Sequence, residues 1–190
     1  MMFNALESDD PTTRGVTSIA PHLRDVEAPA PIRDLPAWLI WRFEPVPGGG
    51  KPRKVPYYAN GGKRCGEQGS ARDLANLVTF DVAKAAAVRR GFDGVGFATL
   101  PQFGICAIDF DNCVTDGKIH PKVEALLLDT YAEFSPSGRG IRMFFKGNLG
   151  NGKATRGDDF GMECFSTKGF VTFTGNVLDI TELLGNADTV

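Results

Sequence analysis

The chain contains no Cys-x-x-Cys pair, which argues against a zinc ribbon. It also opens without the apolar leader that would send its four cysteines to an oxidising compartment, so Cys65, Cys106, Cys113 and Cys164 are expected to be free thiols in a cytoplasmic protein. No apolar stretch approaches the roughly 18 residues of a membrane helix before a charge interrupts it. There is no GxGxxG after a first strand and no GxxxxGKS or GxxxxGKT, so neither a dinucleotide site nor a P-loop ATPase is supported. Charge of either sign is scarce in the balance. A net charge of -2 argues against a tight, sequence-blind binder of nucleic acid, whose affinity would come from lysine and arginine. Repeats and low-complexity tracts are absent as well.

What is present is enough for one compact domain, because 42% of the 190 residues are hydrophobic. The charge is unevenly spread. Between Arg42 and Arg72 lie Lys51, Arg53, Lys54, Lys63 and Arg64 against Glu44 and Glu67, which reads either as a basic surface or as an ordinary solvated loop.

Residues 1–34 mix Ser, Asp, Pro and Ala without an apolar period and are expected to form a poorly ordered arm. Regular structure should begin with a buried strand over 37–43 (AWLIWRF), followed by a Gly/Pro loop and a short edge strand over 54–58. The segment 79–90 (TFDVAKAAAVRR) has a capping Thr, an early acid, late arginines and Gly91 to stop it, which predicts a helix. Strands are predicted over 94–98 and 104–110. A second helix should start near Pro121 and carry Val123, Leu126, Leu127 and Tyr131 into the core. Short strands over 142–146, 161–165 and 170–174 complete an α+β domain with a largely antiparallel or mixed sheet over 35–180. Residues 181–190 read as a tail or the start of a linker, with 180–184 as a helical turn or part of that linker.

Three segments carry chemistry. Asp109 and Asp111 flank Phe110 in GICAIDFDN (104–112), and strand alternation puts both carboxylates on one face with Phe110 on the other. A hard divalent cation such as Mg²⁺ would relieve their repulsion, whereas at the end of a strand the two acids would simply sit in water. In SPSGRGIRM (135–143), small residues and serines could bring N–H and O–H groups to an anion, with Arg139 and Arg142 as phosphate donors. The same composition also makes a flexible turn. Glu163 in GMECF is an acid on an apolar strand, which suits either a cation or the solvent face of an edge strand. Together the three suit a site that binds metal and nucleotide and stabilises phosphoryl transfer.

The ordered segments AWLIWRFEP, KPRKVPYYANGG, DGVGFA, CAIDFDNC, FSPSGRGIRMFFKG and MECFSTKGFVTFTGN resemble the archaeo-eukaryotic primase superfamily in its phage and plasmid primase-polymerase branch, from Leu35 to Leu178. The resemblance implies an N-terminal α/β lobe packed on a sheet like that of an RNA-recognition fold, with the catalytic cleft between them. It implies Asp109, Asp111 and Glu163 as catalytic ligands of Mg²⁺ or Mn²⁺. It also implies Ser135, Ser137, Gly138, Arg139 and Arg142 around the triphosphate, with Lys54 and Arg42 facing nucleotide or template. The expected partners are template DNA, nucleoside triphosphates and a helicase domain or protein. One departure stands out, because the family's usual histidine falls on Arg142 while His22 and His120 lie outside the motifs. An arginine keeps its charge at every working pH, so a changed nucleotide contact is expected. Toprim enzymes place a glutamate before their Asp-x-Asp, and here it follows. The competing functions are a non-catalytic DNA- or nucleotide-binding module of a replication initiator, and a metal-dependent nuclease.

Overall fold

A computed structural model of the chain describes residues 23–149, 154–156 and 160–178. Its strands are β1 (Trp38–Glu44), β2 (Arg53–Tyr57), β3 (Gly94–Phe97), β4 (Ile105–Asp111), β5 (Val114–Thr115), β6 (Lys118–Ile119), β7 (Tyr131–Phe134), β8 (Ile141–Lys146), β9 (Ala154–Arg156), β10 (Gly161–Phe165) and β11 (Val171–Phe173). The helices are α1 (Ala30–Arg33), α2 (Ala71–Leu74), α3 (Phe80–Arg90) and α4 (Pro121–Glu124). Two antiparallel sheets result, one ordered β11-β3-β1-β2 and the other β7-β8-β4-β10-β9, with β5 and β6 as a separate ribbon. The α+β class is as expected. Among the described residues no helix is long and apolar enough to cross a membrane, and all four cysteines are free.

The first sheet is built around Trp38, which is fully buried and meets Phe80, Phe97 and Phe173 edge to face at 4.9, 5.3 and 5.1 Å between centroids. Helix α3 covers this face with Phe80, Ala83, Ala86 and Ala87, an apolar stripe at helical spacing. Gly91 ends the helix in the left-handed region at φ 66°, which costs a glycine little. The second sheet joins the same core through Phe144, 6.4 Å from Phe97, and through Tyr131, which stacks on Phe173 at 5.4 Å.

Three expectations about the fold need correction. Residues 23–34, assigned to a loose arm, are folded: Leu23, Val26 and Ile32 are buried, and the Trp38 indole donates to the Ile32 carbonyl at 2.9 Å. Arg33 pairs with Asp81 of α3 at 2.8 Å, so the segment is fastened by side chains that composition alone does not reveal. The helix from Pro121 stops at Glu124, and Leu126 is exposed while Tyr131 opens strand β7. Pairing of β7 with β8 outweighs the local helical period there. Strands β3 and β4, neighbours in the chain, belong to different sheets. The proposed turn at 180–184 lies outside the described residues, as do residues 1–22.

Candidate active site

Strand register assembles the site. In the second sheet Asp109 of β4 lies opposite Arg142 of β8 on one side and Glu163 of β10 on the other, and Arg142 in turn lies opposite Glu133 of β7. Directly opposed residues share a face, so Glu133, Arg142, Asp109 and Glu163 form one cross-strand row. Asp111, two residues along β4, is on the same face, while Phe110 points into the second hydrophobic cluster. The row runs from a dry end to a wet one, with Glu133 fully buried and both Glu163 and Asp111 exposed.

Asp109 is the pivot. Its Oδ1 lies 3.0 Å from Nε of Arg142, whose side chain is 2% exposed. Neither atom makes an aligned hydrogen bond, so the pair attracts by charge without a well-directed N–H···O contact. Burial pushes the Asp109 carboxyl above its ordinary range, Arg142 pulls it back, the Asp111 charge adds to the rise, and Lys54 opposes it. Arg142 spends Nη1 on the Thr172 carbonyl of β11 at 3.1 Å, which ties the two sheets together beneath the acids.

Lys54 reaches the acids from the first sheet. Burial, then the nearby Arg142 charge, bring its ammonium down to about 8, while Asp109 and Asp111 work in the opposite sense. Phe43 lies opposite Lys54 in register, so Arg42 must project from the other face of the sheet. Arg42 is found there, 4.8 Å from the Tyr57 ring and 5.3 Å from that of Phe92, with a hydrogen bond to the Tyr57 hydroxyl at 3.0 Å. Arg42 is therefore corrected: it stacks on aromatics on the α3 side of the sheet, and strand alternation keeps it from the site. The basic cluster is also partly consumed, since Lys63 pairs with Glu44 and Arg64 is buried against Asp73.

The segment 135–140 is the turn between β7 and β8, and it binds itself. The Ser135 hydroxyl accepts from Gly140 N–H and meets the Ser137 hydroxyl, each at 3.1 Å, and Ser135 carbonyl accepts from Gly138 N–H at 2.8 Å. Ser135 is buried, whereas Ser137, Gly138 and Arg139 are exposed beside the end of β4. Arg139 donates to the Asn112 side chain at 2.7 Å, immediately after Asp111. Gly140 has no room for a side chain, because a Cβ there would come within 2.5 Å of the Phe110 carbonyl.

Glu133 was missed by sequence reasoning. It accepts N–H donors from Thr174 at 3.0 Å and Gly175 at 2.9 Å, and the Tyr131 hydroxyl at 3.1 Å. Burial pushes its carboxyl up to about 7 against the pull of Arg142, the two N–H groups and that hydroxyl. The signal that could have found it is a lone acid inside YAEF, a strand otherwise apolar or aromatic.

No protein-family model matches the sequence. Over 150 residues the chain is 31% identical to the DNA Primase-polymerase of Nitratiruptor phage NrS-1. It is related to a phage primase-polymerase. The match covers 75% of this chain and 19% of the relative, so the chain spans about a fifth of that protein's length. Three acids therefore converge on one sheet face in a chain with that relationship. Among the described residues, no three His, Cys, Asp or Glu side chains stand close enough to form a ready metal cage. The donor chemistry fits a hard divalent ion all the same, given a buried Asp109 oxygen lacking an aligned hydrogen bond and two exposed carboxylates on its face.

Proposed function

We propose that this chain is the catalytic core of a metal-dependent DNA primase-polymerase of the archaeo-eukaryotic primase type, adding nucleotides from nucleoside triphosphates to a primer or initiating nucleotide on a DNA template. The carrying observation is the in-register row that sets Asp109 between Arg142 and Glu163 with Asp111 alongside. Asp109, Asp111 and Glu163 would hold Mg²⁺ or Mn²⁺. When bound, the cation would supply charge stabilisation of the phosphates and a lower pKa for the attacking hydroxyl.

Lys54, on the first sheet, adds a cation to the same space and would bind phosphate oxygens. Ser137, Gly138 and Arg139 would meet the triphosphate from the exposed turn, while Ser135 holds that turn in shape. Arg142 would act from below, through Asp109, since its guanidinium is buried and engaged. The two sheets correspond on this reading to an N-terminal lobe and a lobe resembling an RNA-recognition fold. Template DNA would run past the exposed Lys51 and Arg53, and a helicase domain or protein is the partner we propose for unwinding it.

A second reading has an observation in its favour: Arg142 already offsets the charge of Asp109, as expected of a nucleotide- or DNA-binding module without catalysis. A primed, labelled template with triphosphates and Mg²⁺ or Mn²⁺ separates the readings. Extension that disappears in Asp109→Asn supports the polymerase. Shortening of the primer indicates a nuclease, and retarded mobility without any change of length indicates a binding module.

A further inference from the structure

Arg142 is a single cation between two carboxylates. Strand register puts Glu133 directly opposite it on β7 and Asp109 directly opposite it on β4, and opposed side chains on a sheet have Cβ atoms about 5 Å apart. The guanidinium and Glu133 are both cut off from solvent, at 2% and 0% exposure, so their interaction is weakly screened. The contact with Asp109 is the loose side of this arrangement: Nε and Oδ1 are 3.0 Å apart, yet neither makes an aligned hydrogen bond. Glu133 is by contrast fixed, held by the N–H groups of Thr174 and Gly175 and by the Tyr131 hydroxyl. Arg142 is anchored as well, through Thr172. The movable member of the triad is Asp109.

We propose that Glu133 is a positioning residue that competes with Asp109 for the Arg142 guanidinium and so leaves the Asp109 carboxylate free to meet a divalent cation. The inference rests on the metal-site reading given above. A buried cation shared between two anions binds each less firmly than it would bind one alone. With Glu133 neutral, Arg142 turns its whole charge on Asp109 and the cation must break a stronger ion pair. Glu133 touches neither substrate nor metal in this account, and its effect passes entirely through Arg142.

The test is Mn²⁺ binding to the full chain, read from the electron paramagnetic resonance signal of the free ion, in a cycle of wild type, Glu133→Gln, Arg142→Gln and the double variant. Glu133→Gln keeps an acceptor oxygen for the Thr174 and Gly175 N–H groups, and it is expected to weaken Mn²⁺ binding roughly 10-fold, the scale on which residues supporting a metal ligand act. In the Arg142→Gln background the same change is expected to shift affinity less than about twofold, since the mediator is gone. A 10-fold effect that persists without Arg142 means that Glu133 acts structurally and overturns the proposal, as does no effect in either background. Should Glu133→Gln fail to fold, Glu133→Asp, which withdraws the charge by one methylene, must weaken Mn²⁺ binding in wild type and not in Arg142→Gln, or the proposal is wrong. Asp109→Asn is run alongside: if it leaves Mn²⁺ binding unchanged, the metal-site reading has failed, and this inference with it. If Asp109→Asn abolishes binding while the cycle is additive, the inference alone has failed.

Discussion

Replacing Arg64 by methionine examines whether the basic segment is a surface or part of the frame. The Arg64 guanidinium grips Asp73 with a two-pronged contact, Nε to Oδ1 at 2.9 Å and Nη2 to Oδ2 at 2.7 Å, and both side chains are 2% exposed. Its third nitrogen, Nη1, donates to the Gly169 carbonyl at 2.9 Å, just before β11. Methionine fills similar space but leaves the Asp73 carboxylate with the Tyr58 hydroxyl and the Gly69 N–H, each at 2.8 Å, as its remaining side-chain partners. Removing one partner of such a buried pair costs about 3–5 kcal/mol, because the other charge stays behind uncompensated. For a chain of this size that corresponds to a fall in Tm of about 6–20 °C. Urea denaturation followed by tryptophan fluorescence measures it. Adding Asp73→Asn, which removes the stranded charge while keeping an acceptor oxygen, should restore at least about 1 kcal/mol in the Arg64→Met background. A loss below about 1 kcal/mol, or a further loss on adding Asp73→Asn, refutes the reasoning.

Lys54→Met should raise Tm at pH 7, because burial lowers the Lys54 ammonium to about 8 and the charged form destabilises the fold. The unfolded chain binds that proton more tightly, so wild-type stability rises with pH from about 8 to about 10.4, and the advantage of the variant should fade over that window. The same change should raise KM for the nucleotide in an extension assay. Gly140→Ala places a Cβ 2.5 Å from the Phe110 carbonyl and should destabilise the chain by about 1–3 kcal/mol in thermal or urea unfolding.

The parts of the fold that could be read from the sequence are those in which local and global signals agree. Helix α3 carries its own start, charge pattern and glycine stop, and β1, β4 and β10 declare themselves by apolar runs with turns at each end. Strand β7 was hidden, because LLLDTYAEF continues a helical period and only its partner β8 decides the outcome. The N-terminal packing was hidden for a related reason: Leu23, Val26 and Ile32 are spaced irregularly among prolines and find their places against Trp38 and α3. At the site, strand alternation already put Asp109 and Asp111 together. That Glu163 would stand opposite Asp109, with Arg142 on its other side, depends on pairing partners far apart in the chain. Arg42 and Lys54, two turns of argument apart in residue number, were separated by the same alternation once Phe43 was seen opposite Lys54.

The central claim is that Asp109 and Glu163, joined only by strand pairing, serve one reaction centre. Single-turnover incorporation of a labelled nucleotide onto a primed template with Mn²⁺ tests it in wild type, Asp109→Asn and Glu163→Gln. The account predicts that each variant slows incorporation by at least about 100-fold, the upper end of what losing even a supporting residue around a metal does, while both bind template as wild type does. Incorporation by Glu163→Gln within about twofold of wild type, with Asp109→Asn inactive, would contradict the shared site.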